Sequence, residues 1–402
     1  IIVAGVAGLD NANRVMLIQS ALIVSAISTF LQLFPIGKKG GFRLGSGLPV
    51  IMGVSFAYLP SMQAIAGDFG LPAIFGAQIV GGIVAIFVGI FIKKIRKFFP
   101  PLIAGTVVFT IGLSLYPTAI NYMAGGTGQP GYGSWQNWTV AIFTLIVVTV
   151  LNHFAKGFLK LASILIGMIA GYIFSSFFRM VSFSNVAQAG VFQLPEVMHF
   201  GIEFEPSACV ALGLLFVINS VQAIGDFSAT TAGGLDREPT TGELHGAILG
   251  YGVSNILGAF LGCLPTATYS QNVGIVATTK VVNRVTLGLS ALIILTAGLF
   301  PKFSALLTTI PYAVLGGATV SVFASIAMTG MKLVMTENMN YRNTSIVGLA
   351  AALGMGVSQA SSSLASFPDW VTTIFGKSPV VIATLVAVFL NVTLPKDKAA
   401  EK

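Results

Sequence analysis

Long apolar runs alternate with short polar joints along the whole chain, and the runs have the length of a bilayer crossing. A helix of about 20 mainly apolar residues spans a hydrocarbon core. Segments near that length occur at about 14–36, 70–92, 99–120, 135–154, 158–179, 207–229, 243–263, 284–300, 304–331, 342–358 and 378–394. Two more, near 45–66 and 264–283, are interrupted. The second contains LPTATYSQNVGIVATTK, Leu264 to Lys280: Pro265, then β-prone Thr266, Thr268 and Tyr269, then the amides of Gln271 and Asn272. It is expected to expose both amides and to become helical only after Gly274. Irregular backbone at membrane depth is tolerated where protein or a water-filled cavity satisfies its peptide groups. The stretch is therefore expected to line a binding site.

The first interruption is similar. RLGSGLPVIMGVSFAY, Arg43 to Tyr58, sets Leu48-Pro49 before a short β-branched run and the pair Ser55-Phe56, as Leu264-Pro265 precedes a like run and Ser270-Gln271-Asn272. Paired interruptions in two halves of a membrane protein point to an inverted repeat with its site at the repeat interface. Half-helices that begin near the midplane aim free backbone N–H groups and a positive dipole end into the cavity. The opening IIVAGVAG reads as the end of a span, so the first helix is expected to be largely missing.

Composition agrees with an all-α polytopic membrane protein. Of 402 residues 55% are hydrophobic and 8% charged, with a mean hydropathy of +0.88, against roughly 25% charged in soluble domains. The net charge of +8 does not indicate nucleic acid, because its basic residues sit in short loops rather than on one exposed face. Cys209 and Cys263 lie in apolar surroundings without metal-like spacing and read as small core residues. If each span reverses direction, every Lys and Arg falls on one side except Arg14, Arg179, Lys302 and Lys377. The positive-inside rule makes that richer side cytoplasmic, the C-terminus included. The loops 121–137 and 181–206 are then external. One membrane domain fills the chain.

Few residues could carry chemistry. Asp226, in SVQAIGDFSATT, is the one acid placed deep in an apolar span, where ionisable groups are costly and usually functional. Gln222 lies four residues earlier on the same helix face. The bland alternative is a structural pair bonded to a neighbouring helix. Gln271 and Asn272 carry donors and an acceptor in one plane, which suits a flat heterocycle with adjacent N–H and C=O groups, although such amides also stitch helices together. Phe56 could stack on that ligand, yet it is one of 30 phenylalanines. Lys280 and Arg284 read as cytoplasmic anchors, and His153, His199 and His245 receive no role. An aspartyl protease needs two facing carboxylates and a zinc enzyme a motif such as HExxH; neither is present, so an enzyme is not expected and no metal or cofactor is called for.

At this point the pattern Gln271-Asn272-x-Gly274-x4-Thr279-Lys280 resembles the signature of the nucleobase-ascorbate transporters, the nucleobase:cation symporter family. QAIGDF, GGLDREPT and IPYAVLGGA resemble that family as well, and the likeness covers nearly the whole chain. It implies fourteen segments in two inverted repeats of seven, with two broken helices carrying short β-strands. It further implies a core domain, about 1–96 and 207–301, a gate domain, about 97–206 and 302–395, and a cytoplasmic tail at 396–402. Substrate would contact Phe56, Gln222, Ser270, Gln271 and Asn272. Ser55, Gly274, Thr279 and Lys280 would support the site, and Asp226 would serve ion coupling. Gln at the first signature position resembles members handling xanthine or urate, where uracil members tend to carry Glu. The resemblance thus implies a purine symporter of the plasma membrane driven by H+ or Na+. Its partners would be the nucleobase, the lipid bilayer and a second copy in a homodimer. A uracil permease, or an anion transporter of related fold, is the alternative. Two departures stand out: Gln222 occupies a place where relatives commonly carry a coupling Glu, and Tyr251 one where several purine members carry Asp. Either coupling runs differently here or position 222 carries an engineered substitution.

Overall fold

The structure, a computed structural model, describes residues 1–37, 43–92 and 100–395. Lys38, Lys39, Lys93, Lys94, Arg96, Lys97, Lys396, Lys398 and Lys402, all assigned above to the cytoplasmic side, lie outside the described residues, as do the expected 96/97 domain boundary and the tail 396–402.

After a short turn of helix, α1 (Asn11–Leu33) begins at an N-cap, Asp10, whose carboxylate accepts from Asn13 N. Two two-residue strands, β1 (Ile36–Gly37) and β2 (Arg43–Leu44), pair antiparallel. Strand β3 (Met52–Val54), a 3-10 turn over Phe56–Tyr58 and α2 (Leu59–Phe69) form the first broken segment. Gly70, at φ +82°, separates α2 from α3 (Leu71–Ile90), a backbone angle that favours glycine. The chain continues through α4 (Pro101–Ser114), α5 (Tyr116–Met123), α6 (Trp135–Phe154) and α7 (Ser163–Phe177).

The second half opens with α8 (Pro206–Leu235) and α9 (Thr241–Phe260). Thr240 and Glu243 cap each other at the start of α9. Strand β4 (Thr266–Thr268) and α10 (Ser270–Thr279) form the second broken segment. Then come α11 (Arg284–Leu299), α12 (Pro301–Thr308), α13 (Tyr312–Val334), α14 (Tyr341–Gln359) and α15 (Pro379–Thr393).

Several expected boundaries are corrected. The span 304–331 is not one helix, since α12 bends 84° from α11 and α13 starts afresh at Tyr312. Pro301 opens α12, and Pro311 pushes the residue before it out of helical geometry. The span 99–120 runs as Pro101–Met123, with α4 and α5 joined through Leu115 in helical geometry. Helix α8 runs to Leu235 rather than 229 and ends on Asp236 in the left-handed region. Helix α10 begins at Ser270, before Gly274, because Tyr269 remains extended and the chain turns helical directly after it.

Small residues set the packing. A Cβ on Gly112 or Gly330 would overlap the backbone of Ala327 or Phe109, so α4 and α13 touch main chain to main chain. A Cβ on Gly82 or Gly252 would likewise meet the carbonyl of the other, drawing α3 and α9 together. Behind the broken segments lies an aromatic cluster of Tyr58, Phe216 and Tyr251, with ring centroids 5.0 and 5.6 Å apart and the two tyrosine hydroxyls bonded to each other. Cys263 is buried and Cys209 half-buried, neither in a disulfide.

Candidate functional site

The two broken segments meet strand to strand. Met52, Gly53 and Val54 pair antiparallel with Thr268, Ala267 and Thr266, and Ser55 N→Pro265 O and Tyr269 N→Ile51 O, both 3.1 Å, extend the ladder. A two-stranded sheet has two open edges, each needing partners where water is excluded. Side chains supply them. The Thr29 hydroxyl of α1 accepts from Met52 N at 3.1 Å and donates to Met52 O at 3.2 Å. The Asn255 amide of α9 accepts from Thr266 N at 2.8 Å and donates to Thr266 O at 3.1 Å. Each strand is thus closed by a side chain from the helix that precedes it in its own half. Glycine at position 53 leaves room for the Tyr269 hydroxyl, which a Cβ there would overlap.

Further bonds tie this sheet to α8. Asp226 Oδ2 accepts from Thr268 Oγ1 at 2.5 Å and from Ser270 Oγ at 3.1 Å. Gln222 Nε2 donates to Ser270 Oγ at 3.3 Å, and its Oε1 is enclosed without a partner. Asn272 is buried and donates to Pro49 O at 2.9 Å, joining the two broken segments a second time.

In front of the sheet opens a cavity of about 240 Å³, just below the range of ligand pockets, which run roughly 300–1,000 Å³. Ser55, Phe56, Gln222, Ser270, Gln271 and Gly274 line one wall. Val108 and Ile111 of α4 and Ser325, Ile326 and Thr329 of α13 form the facing wall. The starts of the 3-10 turn and of α10 both reach the cavity, with Ala57 N bonded to Ser55 Oγ at 3.2 Å and Asn272 N to Tyr269 O at 2.9 Å. Gln271 is exposed to the cavity, and its amide has no partner among the described residues. Phe56 makes a T-shaped contact with the buried Phe323 of α13, ring centroids 5.0 Å apart.

The candidate residues therefore separate. Ser55, Phe56, Gln222, Ser270, Gln271 and Gly274 come together at the cavity. Asn272, expected to be exposed, is instead buried between the segments. Asp226 sits behind Thr268 and Ser270. The Thr279 hydroxyl bonds back to Ile275 O, and Lys280 pairs with Asp236 at 2.9 Å, both away from the cavity. Tyr251 is enclosed in the aromatic cluster rather than at the cavity. Sequence reasoning missed the facing wall. Ser325 and Thr329, one turn apart in an apolar helix, were a usable signal; Val108 and Ile111 carried none.

On the face expected to be external, three polar contacts join α2 to α5 and to the residues just before α15. Lys377 Nζ lies 2.6 Å from both carboxylate oxygens of Asp68, Ser61 bonds Ser378 at 2.8 Å, and Thr118 bonds Gln63 at 3.5 Å.

Residues 1–362 match the sequence model Xan_ur_permease, described as "Permease family". The chain belongs to this permease family, the nucleobase-ascorbate transporters. This permease is 34% identical to the uric acid permease PucJ of Bacillus subtilis, over 92% of the chain and 82% of that protein. It is 31% identical to a xanthine permease of the same organism, over 100% of the chain and 91% of that protein, and 32% identical to the uric acid transporter UacT of Escherichia coli, over 96% and 80%. Among solved structures it is similar to the transmembrane domain of a cyanobacterium bicarbonate transporter, BicA, with TM-score 0.56 and 15% identity over 97% of the chain and 96% of that domain. It is also similar to SLC26A9, with TM-score 0.57 and 12% identity over 97% of the chain but 64% of that protein. These likenesses show the fold, two inverted repeats of seven segments. The permease is a multi-pass membrane protein and not an enzyme.

Proposed function

We propose that this permease moves a purine base such as xanthine or urate across the plasma membrane with H+ or Na+, by alternating access. The observation that carries the reading is the unpartnered Gln271 amide, set at the start of α10 beside the Phe56 ring in a cavity too small for a large solute. A flat base would lie against Phe56, exchange paired hydrogen bonds with Gln271 and reach Gln222, Ser270 and the backbone beside it. Relatives described as uric acid and xanthine permeases support a purine. Inorganic anions find helix N-termini here but no cationic side chain lining the cavity.

In this reading the core, about 1–96 and 207–301, carries both broken segments as one rigid body against the gate, about 97–206 and 302–395. The bridges from Asp68, Ser61 and Gln63 to the gate close the external side and open when the core moves outward. Ser55 and Ser270, both in the core, then tolerate a cysteine crosslink, whereas one from core to gate stops transport. The C-terminus is cytoplasmic, and the protein works as a homodimer.

Uptake of labelled xanthine, urate, guanine, hypoxanthine, uracil and bicarbonate into proteoliposomes, over a pH and sodium series, tests substrate and ion together. Saturable purine uptake is expected; bicarbonate or uracil uptake without purine uptake refutes the reading. Asp226, the acid nearest the cavity, is proposed to hold the coupling ion. Asp226→Asn then keeps some binding but loses the pH or sodium dependence, and Gln222→Glu creates or strengthens a pH dependence. Concentrative uptake by Asp226→Asn with unaltered ion dependence removes Asp226 from coupling.

A further inference from the structure

A second cavity, of about 500 Å³, lies at the end of α1 and the starts of α9 and α11, lined by Phe34, Pro35, Gly37, Arg43, Arg237, Glu243 and Arg284. Its three guanidinium groups are not equivalent. Arg237 donates through both terminal nitrogens to the two Glu243 oxygens at 2.9 and 2.7 Å, a fork that neutralises it. Arg43 gives one bond to Ser46 O at 2.5 Å, and its Nε is buried without a partner. Arg284 forms no ion pair, nor does Arg43, among the described residues.

Arg43 and Arg284 nevertheless converge. A Cβ built on Gly47 would touch the Nη2 atoms of both, that of Arg284 at 3.2 Å. Two like charges so close repel unless an anion lies between them, and the planar guanidinium fork matches the oxygens of a phosphate group. Arg284 is also the first residue of α11, a 16-residue helix whose positive end faces the same way. The rim is apolar and open: Phe34 is 46% exposed, Ile36 65% and Val285 63%. Charge sorting sets all of this on the cytoplasmic side.

We propose that Arg43 and Arg284 together bind a phosphate group on an anion, presented by an anionic lipid headgroup or as free phosphate. The apolar rim gives acyl chains a place beside the pair.

Thermal unfolding of the detergent-purified permease, with phosphatidylglycerol, phosphatidylcholine or inorganic phosphate added separately, tests this without relying on transport. Wild type is expected to unfold at a higher temperature with phosphatidylglycerol than with phosphatidylcholine. Arg284→Gln, whose side chain has no partner among the described residues, keeps the lipid-free melting temperature and loses most of that shift. Arg43→Gln/Arg284→Gln loses all of it, while Lys302→Gln, on the opposite face, retains it. A shift with inorganic phosphate that equals the lipid's assigns the site to the free anion, and a shift with phosphatidylglycerol alone assigns it to lipid. No shift with either probe, an undiminished shift in Arg284→Gln, or an equal loss in Lys302→Gln overturns the proposal. Should the double variant fail to fold, Arg284→Gln alone decides.

Discussion

The two broken segments share one backbone plan and present different side chains to the cavity. Each runs Leu-Pro, a three-residue strand, then a helical start at the cavity, with the strand's outer edge held by a side chain from its own half. The first contributes a ring: Phe56 stands at the cavity, Tyr58 is fully buried behind it, and no amide follows the strand. The second contributes hydrogen bonds: Ser270 and Gln271 at the cavity, Asn272 and the Asp226 contacts behind. Their far ends differ too. The first ends at Asp68, paired to Lys377 just before α15; the second ends at Lys280, paired to Asp236 at the end of α8. The frame is alike in both, and the difference lies in the two or three positions after each strand.

The largest effect should come from breaking the frame. Asn255→Ala leaves Thr266 N and O unpaired in the interior, at about 1–3 kcal/mol for each group. Thr29→Ala leaves the equivalent groups of Met52. Both are expected to lower the melting temperature of purified protein and reduce binding with it, Asn255→Ala more, because its oxygen also faces Gln78 at 3.5 Å. Wild-type melting in both variants would make the edge contacts incidental.

Sharpening the division of roles needs variants that spare stability. Gln271→Ala is expected to weaken purine binding by about 1–3 kcal/mol, or roughly 5- to 150-fold, with an unchanged melting temperature. Gln271→Glu should move preference toward uracil in competition uptake. Unaltered affinity and selectivity in both would remove Gln271 from the site. Phe56→Leu should cost less, about 0.5–1.5 kcal/mol, and equally for every base, since stacking reads flatness rather than edge atoms. A loss for one base alone would mean Phe56 discriminates by shape.

The smallest effect concerns the far ends. Asp68→Asn removes an ion pair with side chains 27% and 37% exposed, which is worth about 0–1 kcal/mol after screening by solvent. It should shift the balance toward outward-open states, read as faster labelling of a cysteine at position 63 from outside. Disrupting Lys280–Asp236 should leave that labelling rate alone. Equal changes in the two variants would erase the difference between the ends.

Much of this plan was legible in the sequence. Leu48-Pro49 and Leu264-Pro265 marked both interruptions because proline and β-branched residues disfavour helix, and Ser55, Phe56, Ser270 and Gln271 follow those strands directly. The fate of Asn272 was not legible: one residue beyond Gln271 on a helix turns a side chain by about 100°, and which of the two faces water depends on where Pro49 lies. The bend between α11 and α12 escaped because hydropathy averages over a window that a proline cuts locally. The α4 and α13 wall escaped for a deeper reason. Val108 and Ile111 are ordinary membrane residues, and only tertiary placement turns them toward a cavity.

The closure of the sheet by Thr29 and Asn255 also bears on how the protein exchanges its amide hydrogens. Short strands usually fray and exchange early, since few bonds hold each N–H. Here Met52 N and Thr266 N are held by side chains on the outer edges, within a six-residue sheet beside a cavity. In deuterated buffer these amides should outlast those of far longer helices, and the slowest-exchanging peptide should map to two strands of three residues each.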